Sequence, residues 1–175
     1  MVQILVIIGL ASKEYPGFMR GTAGTTGLVI LYTFFEHKYG LYMNNYVRAA
    51  MLVSLIGDSL CGQYLEYYIT STVFDKALHA FGTYAFSLFF YILTLQLLTH
   101  PLTRSFTFIF VFCLGTSFGT LYEIMEFIVD TTTKPSFPGQ LSLYDTDMDL
   151  VADMCGAVAA ATHAVLSRMD QDIIK

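Results

Sequence analysis

SFTFIFVFCLGTSFGTLYEIMEFIV, residues 105–129, decides the fold. From Ser105 to Tyr122 it carries no charged side chain, and its two charges, Glu123 and Glu126, stand close together near its end. Taken as a helix at about 1.5 Å per residue, it is about 37 Å long. That is enough to cross a bilayer hydrocarbon core of roughly 30 Å. No period-2 alternation suggests a barrel strand, so the expected element is a membrane helix.

The rest of the chain agrees. A soluble domain carries about 25% charged residues. This chain of 175 residues is 13% charged, 55% hydrophobic and 15% aromatic, with a mean hydropathy of +0.57. It could not cover a water-facing surface without leaving large apolar patches exposed. Lipid is therefore the expected solvent, and the chain reads as an integral membrane protein. The net charge of -5 says little about partners, because the acids gather in a few places. No basic cluster is present, which argues against nucleic acid as a partner. Cys61, Cys113 and Cys155 each stand alone in an apolar run, with no CxxC pair. They are expected to be buried structural thiols.

MVQILVIIGLAS, residues 1–12, is apolar but short, and Lys13, Glu14 and Pro16-Gly17 follow it. It lacks a positively charged leading region and a cleavage site, so it is not read as a signal peptide. A short helix packed against the bundle is expected instead. Further helices are expected over residues 22–35, 47–68, 75–98, 105–129 and 149–166. His100-Pro101 separates the third from the fourth of these. Residues 131–146, with Pro135, Pro138 and Gly139, form a polar loop before the last helix. The expectation is a single integral membrane domain over residues 1–175. Its fold class is all-α, a polytopic transmembrane bundle of about five helices plus a short N-terminal one.

Alternation of the spans assigns sides. One face receives Gln63 and Glu66, then Asp75 and His79, then Glu123 and Glu126, and finally Asp145, Asp149 and Asp153. The other holds Lys38, Arg48, Arg104, Arg168 and Lys175, five basic residues against Lys13, Arg20, Lys76 and Lys134 on the first face, a slight excess that points to the cytoplasmic side. The acidic face is therefore expected outside. Spacing sharpens the convergence, since residues three or four apart are neighbours on a helix surface. Asp149, Asp153, Gly156, Ala160 and His163 form one stripe, and Gly115, Gly119, Glu123 and Glu126 form another. Asp75, His79 and Gly82 share a face of the helix between. Small residues let membrane helices approach closely, so the acids in line with them should point into the bundle.

Three motifs in order, VFDKALHAFGTYAF, TLYEIMEF and YDTDMDLVADMCGA, resemble the YjdF-like family of uncharacterised bacterial inner-membrane proteins. The resemblance covers residues 55–160 and rests on Asp75, His79, Gly82, Tyr122, Glu123, Glu126, Asp145, Thr146, Asp149, Gly156 and Ala157. VanZ-like membrane proteins show a fainter likeness in the same order of elements. The loop here reads PSFPGQLSLY, where the family has a Gly-Thr-Gln-Gly-Asp run. The resemblance implies a prokaryotic inner membrane, several crossings and no particular reaction.

Blander explanations compete for each acid. Asp145, Thr146 and Asp147 could cap the last helix, where carboxylates gain about 0.3–1 kcal/mol from the helix N-terminus. Asp75 beside Lys76 could be an exposed helix start, and a lone His79 is commonly a satisfied core histidine. Capping serves Asp153, a full turn deeper than Asp149, poorly. Glu123 and Glu126 end a long apolar helix, where each charge costs about 2.5–3.5 kcal/mol unless it is paired or functional. The neighbouring bases are Lys76, Lys134 and His79, fewer than the acids. Raised carboxyl pKa values or a bound cation would resolve that excess. Carboxylates with one imidazole suit Mg, Ca, Mn, Zn or Fe, while the Glu-x-x-His pairing of di-iron bundles is missing.

The expected ligands of a divalent metal ion are Asp75, His79, Glu123, Glu126 and Asp149. Asp145, Asp153, Tyr122, Gln63 and Glu66 would support them. Asp58 lies deeper and is the candidate for a proton relay, or else a hydrogen-bonded packing group. His37, His100 and His163 are not expected in the cluster. Three functions follow. The first is a carboxylate/His site near one membrane face binding a divalent cation, with catalysis on an amphipathic substrate left open. The second is a non-catalytic subunit of a larger membrane assembly, and the third is a proton-coupled transporter. Expected partners are the bilayer, other membrane subunits or further copies of the chain. No nucleotide-binding glycine loop, nucleophile elbow or HExxH motif is present.

Overall fold

The structure is a computed structural model that describes residues 2–13, 15–135 and 137–169. Glu14, expected in the break after the first helix, and Lys175, expected among the basic residues, lie outside the described residues. The described residues are helical with no strand. Three helices are long and apolar enough to cross a membrane by length and composition. The chain divides into two units, residues 1–78 and 79–175.

The first unit opens with α1, Val2–Ser12, as expected of the short apolar start. Its Gly9 lies against the Tyr64 ring, where a Cβ would come within 2.5 Å of a ring carbon. Next comes α2, Pro16–Tyr39, longer at both ends than the expected 22–35. Pro16, expected as part of a break, instead occupies the first turn, where its missing N–H costs nothing and its fixed φ suits a helix. Gly40, at φ 62, closes the helix with its N–H on the Glu36 carbonyl.

The expected single helix over residues 47–68 is divided. An α-helix, α3, runs Asn45–Ile56 and passes into a π-helical segment, Gly57–Tyr64. There the Leu65 N–H reaches back five residues to the Leu60 carbonyl at 2.8 Å. A short turn, α4, covers Tyr67–Thr70 and is preceded by Glu66 at a left-handed φ of 64.

The division between units falls inside α5, Phe74–Leu95. The second unit adds α6, Arg104–Thr133, and α7, Leu143–Ser167. Both begin earlier than expected because a hydroxyl caps them: the Thr103 side chain accepts from the Phe106 N–H, and Ser142 from the Asp145 N–H. Asp145 is therefore a first-turn residue of α7, Asp147 lies just beyond that turn, and neither is its cap. Asp145 instead completes the start of the helix by accepting the Leu141 N–H at 3.2 Å. The helices approach at small residues. A Cβ on Gly115 would lie 2.6 Å from both the Ala157 Cβ and the Ser87 Oγ, and one on Gly156 would overlap the Ala80 carbonyl oxygen. Cys61 is half-buried, and Cys113 and Cys155 are exposed. None of the three is the fully buried thiol expected, and the last two stand on exposed faces of α6 and α7.

Candidate metal centre

Polar side chains at helical spacing line one seam of the second unit. On α5, His79, Thr83 and Ser87 recur every four residues and are all buried. On α6, Gly115, Gly119 and Glu123 do the same, and on α7 Asp149 and Asp153 precede Gly156. Gly119 is what admits the seam's central acid, since a Cβ there would fall on the Asp153 carboxylate.

The seam brings His79, Glu123 and Asp153 together, with residue exposures of 9%, 4% and 2%. His79 Nδ1 stands 3.4 and 3.5 Å from the two Asp153 oxygens and 3.8 Å from Glu123 Oε1. An N–H···O hydrogen bond measures about 2.7–3.2 Å, so these separations are long for direct bonding. A tetrahedral ion with bonds of about 2.0–2.1 Å holds its ligand atoms about 3.3–3.4 Å apart. One ligand atom from each of the three residues falls within 4.8 Å of the others, so the trio could hold a metal ion.

Each ligand is held from behind. Thr83 Oγ1 donates to Asp153 Oδ1 at 2.6 Å. Gln140 Nε2 donates to Glu123 Oε2 at 2.9 Å and to the Glu123 carbonyl at 3.0 Å. The Tyr122 ring meets the imidazole edge-on at 5.4 Å. With imidazole neutral the two carboxylates carry -2, and with imidazolium -1. A divalent cation beside neutral imidazole brings the trio to zero.

The other expected site residues are distributed as follows. Asp75 occupies the first turn of α5, one turn before His79. Asp149, 2% exposed, stands one turn before Asp153 and has an oxygen within 4.8 Å of a His79 nitrogen. Glu126 packs against Gly139, where a Cβ would lie 2.9 Å from its carboxyl carbon. Asp145 serves the start of α7. In the first unit, Gln63 accepts from Thr22 Oγ1 at 2.9 Å and donates to Asp58 Oδ2 at 3.0 Å. Tyr68 Oη donates to Asp58 Oδ1 at 2.6 Å.

Glu66 pairs with Lys13 Nζ at 2.8 Å. Hydrogen bonding to the ammonium, with its charge, holds the Glu66 carboxyl below its usual range, and the same bond raises the Lys13 pKa. His163 stacks on Tyr84 and shares a hydrogen bond with its hydroxyl, apart from the trio. Thr83 and Gln140 were missed from sequence. Thr83 is four residues from His79 and so was findable on the same face, whereas nothing local marks Gln140.

A family model described as "Predicted membrane protein (DUF2238)" matches residues 1–170. A Thermotoga maritima protein described as "Uncharacterized protein" is 34% identical over 113 residues, which cover 62% of this chain and 56% of the relative. The chain thus spans little more than half of that relative's length. No solved structure matches. The fainter likeness to VanZ-like proteins receives no support from these matches. With apolar helices long enough to cross a bilayer and a family match over nearly its whole length, the chain belongs to the DUF2238 family of predicted membrane proteins.

Proposed function

We propose that this chain binds a divalent cation inside the bacterial inner membrane, at His79, Glu123 and Asp153, with Asp149 next to them. In this reading the chain crosses the membrane several times, its acidic helix ends lie outside, and YjdF-like is the right name for its kind. The observation that carries the proposal is the convergence of three buried ligand atoms, 3.4–3.8 Å apart about the imidazole nitrogen, a spacing suited to an ion between them. One nitrogen and two carboxylate oxygens suit Zn, Mn or Fe better than an all-oxygen ion. Three protein ligands leave a position for water or a substrate oxygen, so the arrangement supports hydrolytic chemistry as well as ion binding.

The test is elemental analysis of protein purified in mild detergent, alongside Asp153→Asn and His79→Ala. About one transition-metal ion per chain, lost in both variants, is expected. Metal-free wild-type protein that takes up no added Zn, Mn or Co would overturn the reading.

A second reading is favoured by one observation in the first unit. The series Thr22, Gln63, Asp58 and Tyr68, its first two members buried and its last two half-buried, is hydrogen-bonded end to end around a π-helical segment, and such segments are frequent at functional sites. Asp58 as a proton relay predicts pH-gradient-driven flux in liposomes that Asp58→Asn abolishes. Equal flux in the variant would remove the relay.

A further inference from the structure

Glu123 has two carboxylate oxygens, and the structure treats them differently. Oε1 faces His79 Nδ1 at 3.8 Å, while Oε2 accepts from the Gln140 amide at 2.9 Å. The same amide nitrogen also reaches the Glu123 carbonyl at 3.0 Å, so it is tied to the helix as well as to the side chain.

The backbone that carries Gln140 is fixed too. Asp130, two turns beyond Glu123 on α6, accepts the N–H of Gly139 at 3.1 Å and that of Gln140 at 2.9 Å, one on each oxygen. Between them, Glu126 packs on Gly139, where a Cβ would lie 2.9 Å from its carboxyl carbon. Residues 123, 126 and 130 lie on one face of a helix, and each of the three meets the Gly139-Gln140 dipeptide.

We propose that Gln140 is a positioning residue that makes Glu123 a one-oxygen ligand, and that this selects a small transition-metal ion over calcium. The inference rests on the metal reading of the trio. Calcium takes six to eight oxygens and commonly uses a carboxylate through both of its oxygens. With Oε2 engaged by an amide donor, Glu123 offers one oxygen to the cluster. A four-coordinate ion with short bonds needs no more than that. A neutral donor suits the role, because it fixes one carboxylate oxygen without bringing a charge that would compete with the cation. Asp130 acts as the latch that keeps the donor seated.

The experiment is calorimetric titration of the full chain in detergent with Co2+ and, separately, Ca2+, for wild type, Gln140→Ala and Asp130→Asn. Wild type is expected to prefer Co2+. Gln140→Ala is expected to bind Co2+ about tenfold or more weakly, the usual effect of losing an outer hydrogen bond to a ligand, and to gain affinity for Ca2+. Asp130→Asn, which touches none of the three ligands, should move the Co2+/Ca2+ ratio in the same direction by less. A merely structural role for Gln140 would weaken both ions alike and leave the ratio unchanged, and that result overturns the inference while leaving the metal site standing. If wild type binds neither ion, the metal reading itself fails and the inference falls with it. If Gln140→Ala yields no folded protein, an unchanged ratio in Asp130→Asn is the overturning result.

Discussion

Thr83→Val tests whether the seam aligns its ligands or merely contains them. Thr83 and Asp153 are 3% and 2% exposed, and the hydroxyl donates to Oδ1 at 2.6 Å. Valine keeps the shape and removes the donor, so a buried carboxylate oxygen loses a partner that water cannot replace. Hydrogen bonds to charged groups contribute about 1.5–3 kcal/mol. At about 1.4 kcal/mol per decade that is roughly a 10- to 140-fold weaker affinity for the ion, in line with the 10- to 100-fold typical of outer hydrogen bonds on metal ligands. The assay is Co2+ titration in detergent, read against Thr83→Ser, which restores the hydroxyl and should recover wild-type affinity. Asp153→Asn supplies the lower bound. If Thr83→Val binds within twofold of wild type while Asp153→Asn does not bind, the Thr83 bond does not orient the ligand and the reasoning fails.

Three further outcomes follow from the packing and charges. Gly156→Ala would set a Cβ onto the Ala80 carbonyl, a backbone atom that cannot rotate away. The helix-propensity gain of about 1 kcal/mol should lose to overpacking of about 1–3 kcal/mol or more, giving a lower melting temperature; an unchanged one would mean the seam is looser than described. Gln63→Leu removes both the acceptor for Thr22 and a donor to Asp58. The buried Thr22 hydroxyl would lose its acceptor, at about 1–3 kcal/mol for an orphaned buried group, so a loss of thermal stability is expected, and an unaltered melt would show that the first unit does not depend on this series.

The Lys13–Glu66 pair predicts a pH profile. The Lys13 ammonium holds the Glu66 carboxyl below its ordinary value of 4.5 in the fold, so its contribution is present above that pH and lost as pH falls through the lowered value. Lys13 titrates above 10.5, so its contribution is present below that pH and lost as pH rises through the raised value. The melting difference between wild type and Glu66→Gln should therefore be flat at neutral pH and vanish in acid. A difference that grows in acid would contradict the assignment.

The long helices and the convergence of the seam were legible because they rest on periodicity. A charge-free run and steps of three or four residues placed Glu123, His79 and Asp149 on inward faces and Asp153 on the Asp149 stripe, whereas the approach of Asp153 to His79, closer than the supporting position expected of it, came only with the structure. The first unit was less legible for a geometric reason. Asp58 and Gln63 are five residues apart, which on an α-helix puts them about 140° apart in rotation. They meet because the π-helical segment has a wider turn, and no residue type announces such a segment. Gln140 was invisible for another reason: its partner is 17 residues away, reached through a loop whose path depends on Asp130 accepting two backbone N–H groups.

Why the seam should want an ion follows from how dry it is. Gly119 lets Asp153 press against α6 with no space for a side chain between them, and Gly115 brings Ala157 equally close. At 4% and 2% exposure, Glu123 and Asp153 are out of reach of bulk water. Charges inside membrane helices cost about 2.5–3.5 kcal/mol each on insertion scales, and two sit here around one imidazole. Thr83 and Gln140 supply hydrogen bonds but no charge, and protonating His79 cancels only half of it. A divalent cation cancels the whole charge of the trio, so its binding should support the fold as well as the chemistry. At a free ion concentration of 100 times Kd, the folded state gains about 2.7 kcal/mol by mass action. Chelation should therefore lower the melting temperature of wild type by roughly 5–11 °C, at about 2–4 °C per kcal/mol for a chain of this size. Asp153→Asn, with one charge fewer and one ligand lost, should melt at the same temperature with or without chelator. Equal sensitivity of the two proteins would show that the ion sits elsewhere.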